Sequence, residues 1–285
     1  MEAGLNLILA VASTVAWTSN DPLCGTASVK RSDYYIFDAS EEVAPVRWPW
    51  NAAIHTSSSF RPEQYCGGAL FTDQHVLTAA HCVDEVSTDA MRVHLGSWRR
   101  SLLDDGEIAV PVKEICVHRN YSGTGNDIAI IKMAYPVNFT RTIRPICLPE
   151  RKVQFPTDSE AFATGWTIIK RKETERSKRV LRELKMKLMN ENRCARFFDV
   201  SLPEEVLCAG HDYGSLCEGD SGAPLMQNVA GQWFLQGVLS GGPFNCGDTA
   251  FPMVFTRVAS FVQSFINPYL RSKTYNRKAQ VCTLT

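Results

Sequence analysis

Three segments of this chain carry side chains that could act together in a nucleophilic reaction. Residues 217 to 224 read Cys-Glu-Gly-Asp-Ser-Gly-Ala-Pro. Glycine on either side of the Asp220-Ser221 pair lets the backbone turn sharply and aim the N–H groups of Gly219 and Ser221 at a substrate oxygen. An ordinary Gly/Asp/Ser turn has the same composition. Upstream, Leu-Thr-Ala-Ala-His-Cys places His81 beside Cys82 after an apolar run. A disulfide there would hold the backbone under the imidazole, although a lone histidine is more often a satisfied surface or core residue. Between them, Asn-Asp-Ile-Ala-Ile-Ile-Lys-Met sets Asp127 at the head of a run that should be buried. Alone, such an aspartate can equally cap or turn a strand. Together the three form a complete set. A serine hydroxyl is a poor nucleophile until a base removes its proton, and an imidazole base needs a carboxylate to fix its tautomer and stabilise the imidazolium. The chemistry implied is acyl transfer.

The elements that would position these groups are short. Runs such as CGGALFT, HVLTAA, MRVHLG, EIAVPVKEICV, DIAIIKM, AFATGW, WFLQGVLS and MVFTRV recur between Gly, Pro and Asn. That spacing predicts an antiparallel all-β architecture, sandwich or barrel. The clearest helix lies over Val258 to Ile266, where Val258, Phe261, Val262 and Phe265 share a face and Pro268 is expected to end it. The proline-rich, basic segment Arg141 to Pro156 reads as a connection between two groups of strands. From Arg271 the chain is polar and basic around Cys282.

With 285 residues, 45% of them hydrophobic, the chain can bury one large core or two small ones. Thirty basic residues balance thirty acidic ones, so no global field argues for nucleic acid. The first 16 residues hold an apolar run, Leu5 to Ala16, too short to span a bilayer comfortably. They read as a secretory signal peptide, the alternatives being an apolar anchor or a buried segment. Ten cysteines point to disulfides in an oxidising compartment, hence to a secreted, extracellular protein. No Cys-x-x-Cys or His-Glu-x-x-His occurs, so the common zinc readings fail; no metal, cofactor or membrane span is expected. Two sequons make Asn120 and Asn138 candidate glycosylation sites.

Taken in order, WPW, CGGAL, LTAAHC, NDIAII, RPICLP, TGW, GDSGAP and FTRV resemble the chymotrypsin-like (trypsin-fold) serine protease family, from roughly Ile36 to Leu270. The resemblance implies two packed antiparallel six-stranded β-barrels with a C-terminal α-helix and a cleft between the barrels. It casts Ser221 as nucleophile, His81 as base then acid, Asp127 as the orienting carboxylate, and the N–H groups of Gly219 and Ser221 as the oxyanion hole. It suggests the pairs Cys66-Cys82, Cys24-Cys147, Cys194-Cys208 and Cys217-Cys246, and leaves Cys116-Cys282 to pin the tail. A bridge common in relatives is absent at both ends, at Ala161 and Gln227. The organisation expected is a signal peptide (1–16), a short disulfide-tethered propeptide or linker (17–35), the protease domain (36–270) and a C-terminal tail (271–285). No separate recognition module is expected.

Departures from the family pattern bear on activation and specificity. Relatives are usually made as zymogens and cut after a basic residue, whereupon the new ammonium pairs with the aspartate before the catalytic serine, here Asp220. The matching stretch is Ile36-Phe37-Asp38-Ala39, preceded by Tyr35, without the usual glycines. A cut after Tyr35 would free Ile36. The rival is that no activating cut occurs and the turn stays unformed. In the specificity pocket, Ser215 replaces a trypsin-like floor aspartate, followed by Leu216; Gly242 leaves one wall open; and Met253 stands where a glycine often deepens the pocket. These residues predict a shallow apolar pocket for small or medium side chains, unless Met253 plugs it. Gly241 replaces a tryptophan that contacts substrate. Lys170 to Arg179 carries six basic and two acidic residues, a candidate surface for an acidic partner. Ser97, in the Ser97 to Glu107 loop, sits where calcium-binding members place a carboxylate, so calcium is not expected.

The function these residues predict is a secreted serine endopeptidase, made as a zymogen, acting on polypeptide substrates and open to protein protease inhibitors. The alternative is a catalytically silent protease-fold regulator or binding protein.

Overall fold

The computed structural model describes residues 24–27, 40–42, 46–56, 63–99, 104–123, 125–150, 156–167, 169–170, 180–199, 201–210, 214–243 and 245–284. A short strand, β1 (Ser40–Glu42), precedes two closed barrels. The first is built from β2 (Asn51–Thr56), β3 (Glu63–Leu70), β4 (His75–Thr78), β5 (Met91–Leu95), β6 (Ile108–His118) and β7 (Ala129–Met133). Around it the order is β6-β5-β2-β3-β4-β7, and β7 pairs back onto β6. The long strand β6 can serve two neighbours because a bulge between Val112 and Glu114 bends it. The bulge also changes the inward-facing set: Val110 and Val112 are buried before it, Ile115 and Val117 after it.

The second barrel uses β8 (Glu160–Gly165), β10 (Arg182–Leu188), β11 (Val206–Gly210), β13 (Pro224–Val229), β14 (Gln232–Gly241) and β15 (Met253–Arg257). Its order is β10-β11-β15-β14-β13-β8, closed by β8 on β10, with β1 added to the outer side of β10. A separate ladder joins β9 (Ile169–Lys170) to β12 (Gly214–Ser215). All pairings between these strands are antiparallel, so the expected pair of six-stranded barrels is present. A helix not read from the sequence, α1 (Glu191–Phe198), follows Asn190, whose side chain caps it by accepting from the Asn192 N–H.

The barrels meet through aromatic side chains. Trp48 and Trp50, both buried, lead into β2, and Trp48 packs edge-on against Trp233 of β14 at 4.6 Å. The Trp48 indole N–H donates to the buried carboxylate of Glu183, 2.8 Å away on β10, which also accepts from Arg47 Nη2 at 2.7 Å. The Trp-Pro-Trp segment of the first barrel is thereby fixed to the second.

After β15 the chain turns helical over Val258–Phe261, widens into a π turn over Val262–Ile266 and continues over Asn267–Arg271. The expectation that Pro268 ends the helix is therefore corrected. Proline lacks an N–H and its ring clashes with the preceding turn of a regular helix, but the wide turn ahead of it gives the ring room. The face Val258, Phe261, Val262, Phe265 packs on the first barrel, with His118 edge-on to Phe261 and Phe265. The polar tail is more ordered than its composition suggests. Its last strand, β16 (Cys282–Leu284), adds to β6 opposite Cys116 to His118. The four disulfides implied by the resemblance, Cys24-Cys147, Cys66-Cys82, Cys194-Cys208 and Cys217-Cys246, are formed, and so is the remaining pair, Cys116-Cys282. At the position of the absent sixth bridge, Gln227 donates instead to Ser159 Oγ at 2.8 Å and to the Glu160 carbonyl at 3.0 Å.

Candidate active site

The register of β4 on β7 brings the first two candidate residues together. Thr78 lies opposite Ala129, so the chain leaving β4 toward His81 runs beside the chain entering β7 from Asp127. His81 sits in a single helical turn, Ala80–Cys82. Its backbone N–H donates to Asp127 Oδ1 at 2.9 Å and its ring Nδ1 donates to Oδ2 at 2.7 Å. With Nδ1 committed to an acceptor-only carboxylate, the neutral ring keeps its lone pair on Nε2. Asp127 is buried, while the His81 ring stays about one-third exposed, with a side-chain exposure of 32%.

Ser221 approaches from the second barrel on a turn nailed down at both ends. Its carbonyl accepts from the Gly67 N–H of β3 at 2.7 Å. The next residue, Gly222, donates its N–H to the Leu239 carbonyl at 2.8 Å. Gly222 has φ +81°, and a Cβ there would stand 2.3 Å from Thr78 Oγ1 and 2.4 Å from the Gly67 carbonyl oxygen. Only glycine lets the serine turn come that close to the strand leading to His81. The Cys66-Cys82 disulfide fastens the residue before Gly67 to the residue after His81. Gly219 also has positive φ, +95°, a conformation glycine takes without strain.

A family model described as trypsin matches residues 39–265. Vitamin K-dependent protein C of Mus musculus is 34% identical over 242 residues, covering 81% of this chain and 51% of that protein. Chymotrypsin-C of Mus musculus is 35% identical over 230 residues, covering 78% of this chain and 84% of that protein. The chain belongs to the trypsin family of chymotrypsin-like serine proteases. It spans about half the length of protein C.

Within this trypsin-family chain one site residue escaped the sequence reading. Ser240, near the end of β14, donates its hydroxyl to Asp127 Oδ2 at 2.6 Å, and Thr256 Oγ1 donates to the Asp127 carbonyl at 2.7 Å. The Ser-Gly-Gly segment at 240–242 is the local sequence signal for it. At Gly241 a Cβ would meet nothing within 4 Å among the described residues.

Of the four specificity candidates, Leu216 and Met253 belong to one buried cluster and Met253 meets Gly242. Ser215 is fully buried and its hydroxyl accepts the Gly247 N–H at 2.7 Å; Leu216 is buried beside it. Met253, also buried, runs across to Gly242, where a Cβ would lie 2.6 Å from Met253 Cε and 2.8 Å from Sδ. The wall that Gly242 would leave open is thus lined by the thioether. Cys217-Cys246 joins the loop after β12 to the loop between β14 and β15.

Asp220 is wholly buried against the end of β8, and burial pushes its carboxyl above the usual carboxylate range while backbone N–H donors oppose the rise. Ile36 and the cut expected after Tyr35 lie outside the described residues, as does Lys170 to Arg179 apart from the backbone of Lys170. Asn120 and Asn138 are both exposed. In the Ser97 to Glu107 loop, Asp104 accepts from Arg99 Nε at 2.6 Å and Glu107 from His94 Nδ1 at 2.6 Å, so basic side chains occupy these carboxylates. The cluster Cys66, His81, Cys82 has the spacing of a metal site, but its two sulfurs are bonded to each other. Among the described residues no helix is long and apolar enough to cross a membrane.

Proposed function

We propose that this chain is a secreted serine endopeptidase that cleaves polypeptides through a Ser221-His81-Asp127 triad. The observation that carries this reading is the His81-Asp127 pair, with Nδ1 bonded at 2.7 Å, set beside a turn that carries Ser221 across from the other barrel. Ser221 Oγ attacks the scissile carbonyl carbon as Nε2 of His81 takes its proton. Asp127 holds the ring and stabilises the imidazolium, with Ser240 steadying Oδ2. The oxyanion is received by the N–H groups of Gly219 and Ser221, where one lost donor costs about 3–4 kcal/mol of transition-state stabilisation. Collapse breaks the C–N bond, and the leaving amine takes the proton from His81. Water then repeats the sequence on the acyl-enzyme and frees the acid.

The pocket favours the smallest side chains before the scissile bond. Met253 fills the space against Gly242, and Ser215 has no carboxylate to draw in Lys or Arg. Five disulfides suit an oxidising, extracellular setting, where Asn120 and Asn138 are available for glycosylation. Protein protease inhibitors would dock in the same cleft, and the basic stretch from Lys170 to Arg179 would draw an acidic partner. The rival reading, a silent protease-fold regulator, draws on the same Met253. A peptide library digested with the wild type and with Ser221→Ala separates them. Cleavage after Gly, Ala or Ser that vanishes in the variant is expected, whereas a folded wild type that cuts nothing would favour the rival.

A further inference from the structure

The tail holds positive charge in a fixed place. Residues 271–285 contain no Asp or Glu, carry Arg271, Lys273, Arg277 and Lys278, and lie beyond the trypsin-family match, which ends at residue 265. A polar stretch of this kind is ordinarily loose, and loose charges lose entropy when they bind. Here the backbone is tied to the first barrel three times: by Cys116-Cys282, by β16 on β6, and by the Arg119 N–H donating to the Val281 carbonyl at 3.1 Å.

Lys278 supplies the side-chain tie. Glu114, Lys132 and His75 form one row across β6, β7 and β4. Tyr269 covers that row, edge-on to His75 at 5.9 Å, with its hydroxyl donating to Glu114 Oε1 at 2.5 Å. Lys278 Nζ donates to the same oxygen at 2.5 Å and lies 4.6 Å from the centre of the Tyr269 ring. The carboxylate of the row is thus engaged twice, and further cations surround it. Lys113, the extra residue of the β6 bulge, is exposed, and Lys132 is half-buried opposite Glu114. Burial first, and then the charges of Lys278 and Lys113, hold the Lys132 ammonium below its ordinary range against the pull of Glu114. At the far end of β6, about 20 Å from Lys113 at the rise of an extended strand, Arg119 is exposed beside the tail; Glu205 adds a carboxylate near His118 at that end. Arg271, Lys273 and Arg277 are exposed on the tail itself. Like charges held this close repel one another, and a bound polyanion relieves that repulsion.

We propose that the tail and the adjoining strands β6 and β7 form a docking surface for a linear sulfated polysaccharide, with Lys113, Arg119, Lys132, Lys273 and Arg277 meeting its sulfates. Cations spread over about 20 Å suit a repeating chain of charges better than a single phosphate. Among the described residues, no large apolar side chain is exposed on β6 or the tail, as stacking on nucleic-acid bases or insertion into lipid would need. The proposal takes its extracellular setting, where long polyanions are sulfated polysaccharides, from the proposed function, but it needs no catalysis.

The full chain and its Ser221→Ala variant are applied to immobilised heparin and eluted with NaCl. Both should be retained at physiological ionic strength, where charges are screened over about 8 Å, and their affinity should fall steeply as salt rises. The triple variant Lys113→Ala, Lys273→Ala, Arg277→Ala should bind about tenfold or more weakly with an unchanged Tm. Heparin stripped of its sulfates should not retain the chain. Undiminished binding by the triple variant would overturn the proposal, and loss of binding on changing Lys170, Arg171 and Lys172 to alanine would then assign heparin to that stretch instead. Equal binding to polyglutamate would make the partner an acidic polypeptide and overturn it too, as would a wild-type chain that passes through unretained. Ser221→Ala should bind as the wild type does, so the failure of the protease reading and the failure of this surface are read separately.

Discussion

Replacing Met253 with glycine should trade stability for a wider specificity. Met253 is buried at 2% exposure, with its thioether pressed on Gly242, so truncation removes a packed side chain from the second barrel. Truncations of this size cost about 2–5 kcal/mol when the surroundings do not collapse. The space released lies against Gly242, in the buried cluster that also holds Leu216. An aromatic side chain entering it recovers about 1.5–3 kcal/mol of burial. At about 1.4 kcal/mol per tenfold, that is a gain of roughly 10- to 150-fold in kcat/KM for a substrate with Phe before the scissile bond. Matched peptides differing only at that residue, Gly, Ala, Leu and Phe, supply the assay, with thermal unfolding run alongside. Wild type should prefer Gly or Ala, and Met253→Gly should shift toward Leu and Phe with a lower Tm. A folded variant with an unchanged preference would refute the argument that Met253 sets the pocket depth.

Ser240→Ala deletes a 2.6 Å hydrogen bond to a buried carboxylate, worth about 1.5–3 kcal/mol, so kcat should fall roughly 10- to 150-fold with KM little changed; steady-state kinetics on the folded variant reads this. Gly222→Ala would drive a methyl into Thr78 Oγ1 and the Gly67 carbonyl, and the resulting displacement of Ser221 should cost about a hundredfold or more in kcat while the far-UV spectrum stays native. His75, packed edge-on to Tyr269, has its pKa lowered to about 3 by burial first and then by the charges of Lys132 and Lys278. Below its ordinary value of 6.5 the unfolded chain takes a proton that the folded chain refuses, so stability should fall on acidification through the window from about 6.5 to about 3. Denaturant titrations between pH 7 and 4 should show a slope that flattens in His75→Gln, and an unchanged slope would contradict the assignment.

Local patterns made much of this chain legible. His81, Asp127 and Ser221 each lie in a short segment whose neighbours shape the backbone around them, so their types and spacing suffice to suggest a triad. The strands are legible because apolar alternation and Gly, Pro and Asn punctuation are local too. The cysteine pairs followed from the resemblance, since spacing alone leaves connectivity open. Contacts between residues far apart in the chain were not readable. Ser240 meets Asp127 across 113 positions, and the Ser-Gly-Gly segment around Ser240 does not say which residue its hydroxyl reaches. The Trp98-to-Trp166 bond and the thioether of Met253 against Gly242 are tertiary facts of the same kind. Pro268 misled because a proline is usually a stop, and only the π turn before it makes room for the helix to continue. The tail is pinned by Cys116-Cys282 as expected, but its polar composition hides the strand that adds to β6.

The central claim is a covalent step at Ser221 driven by His81. Rapid-mixing kinetics with an activated nitrophenyl ester of a small acyl group tests it most directly, with the quenched protein weighed and digested. The account predicts a burst of about one nitrophenol per active site, an acyl mass on the peptide containing Ser221, and loss of both in Ser221→Ala and His81→Ala. Steady release with no burst and no acylated peptide, from a folded wild-type chain, would contradict it.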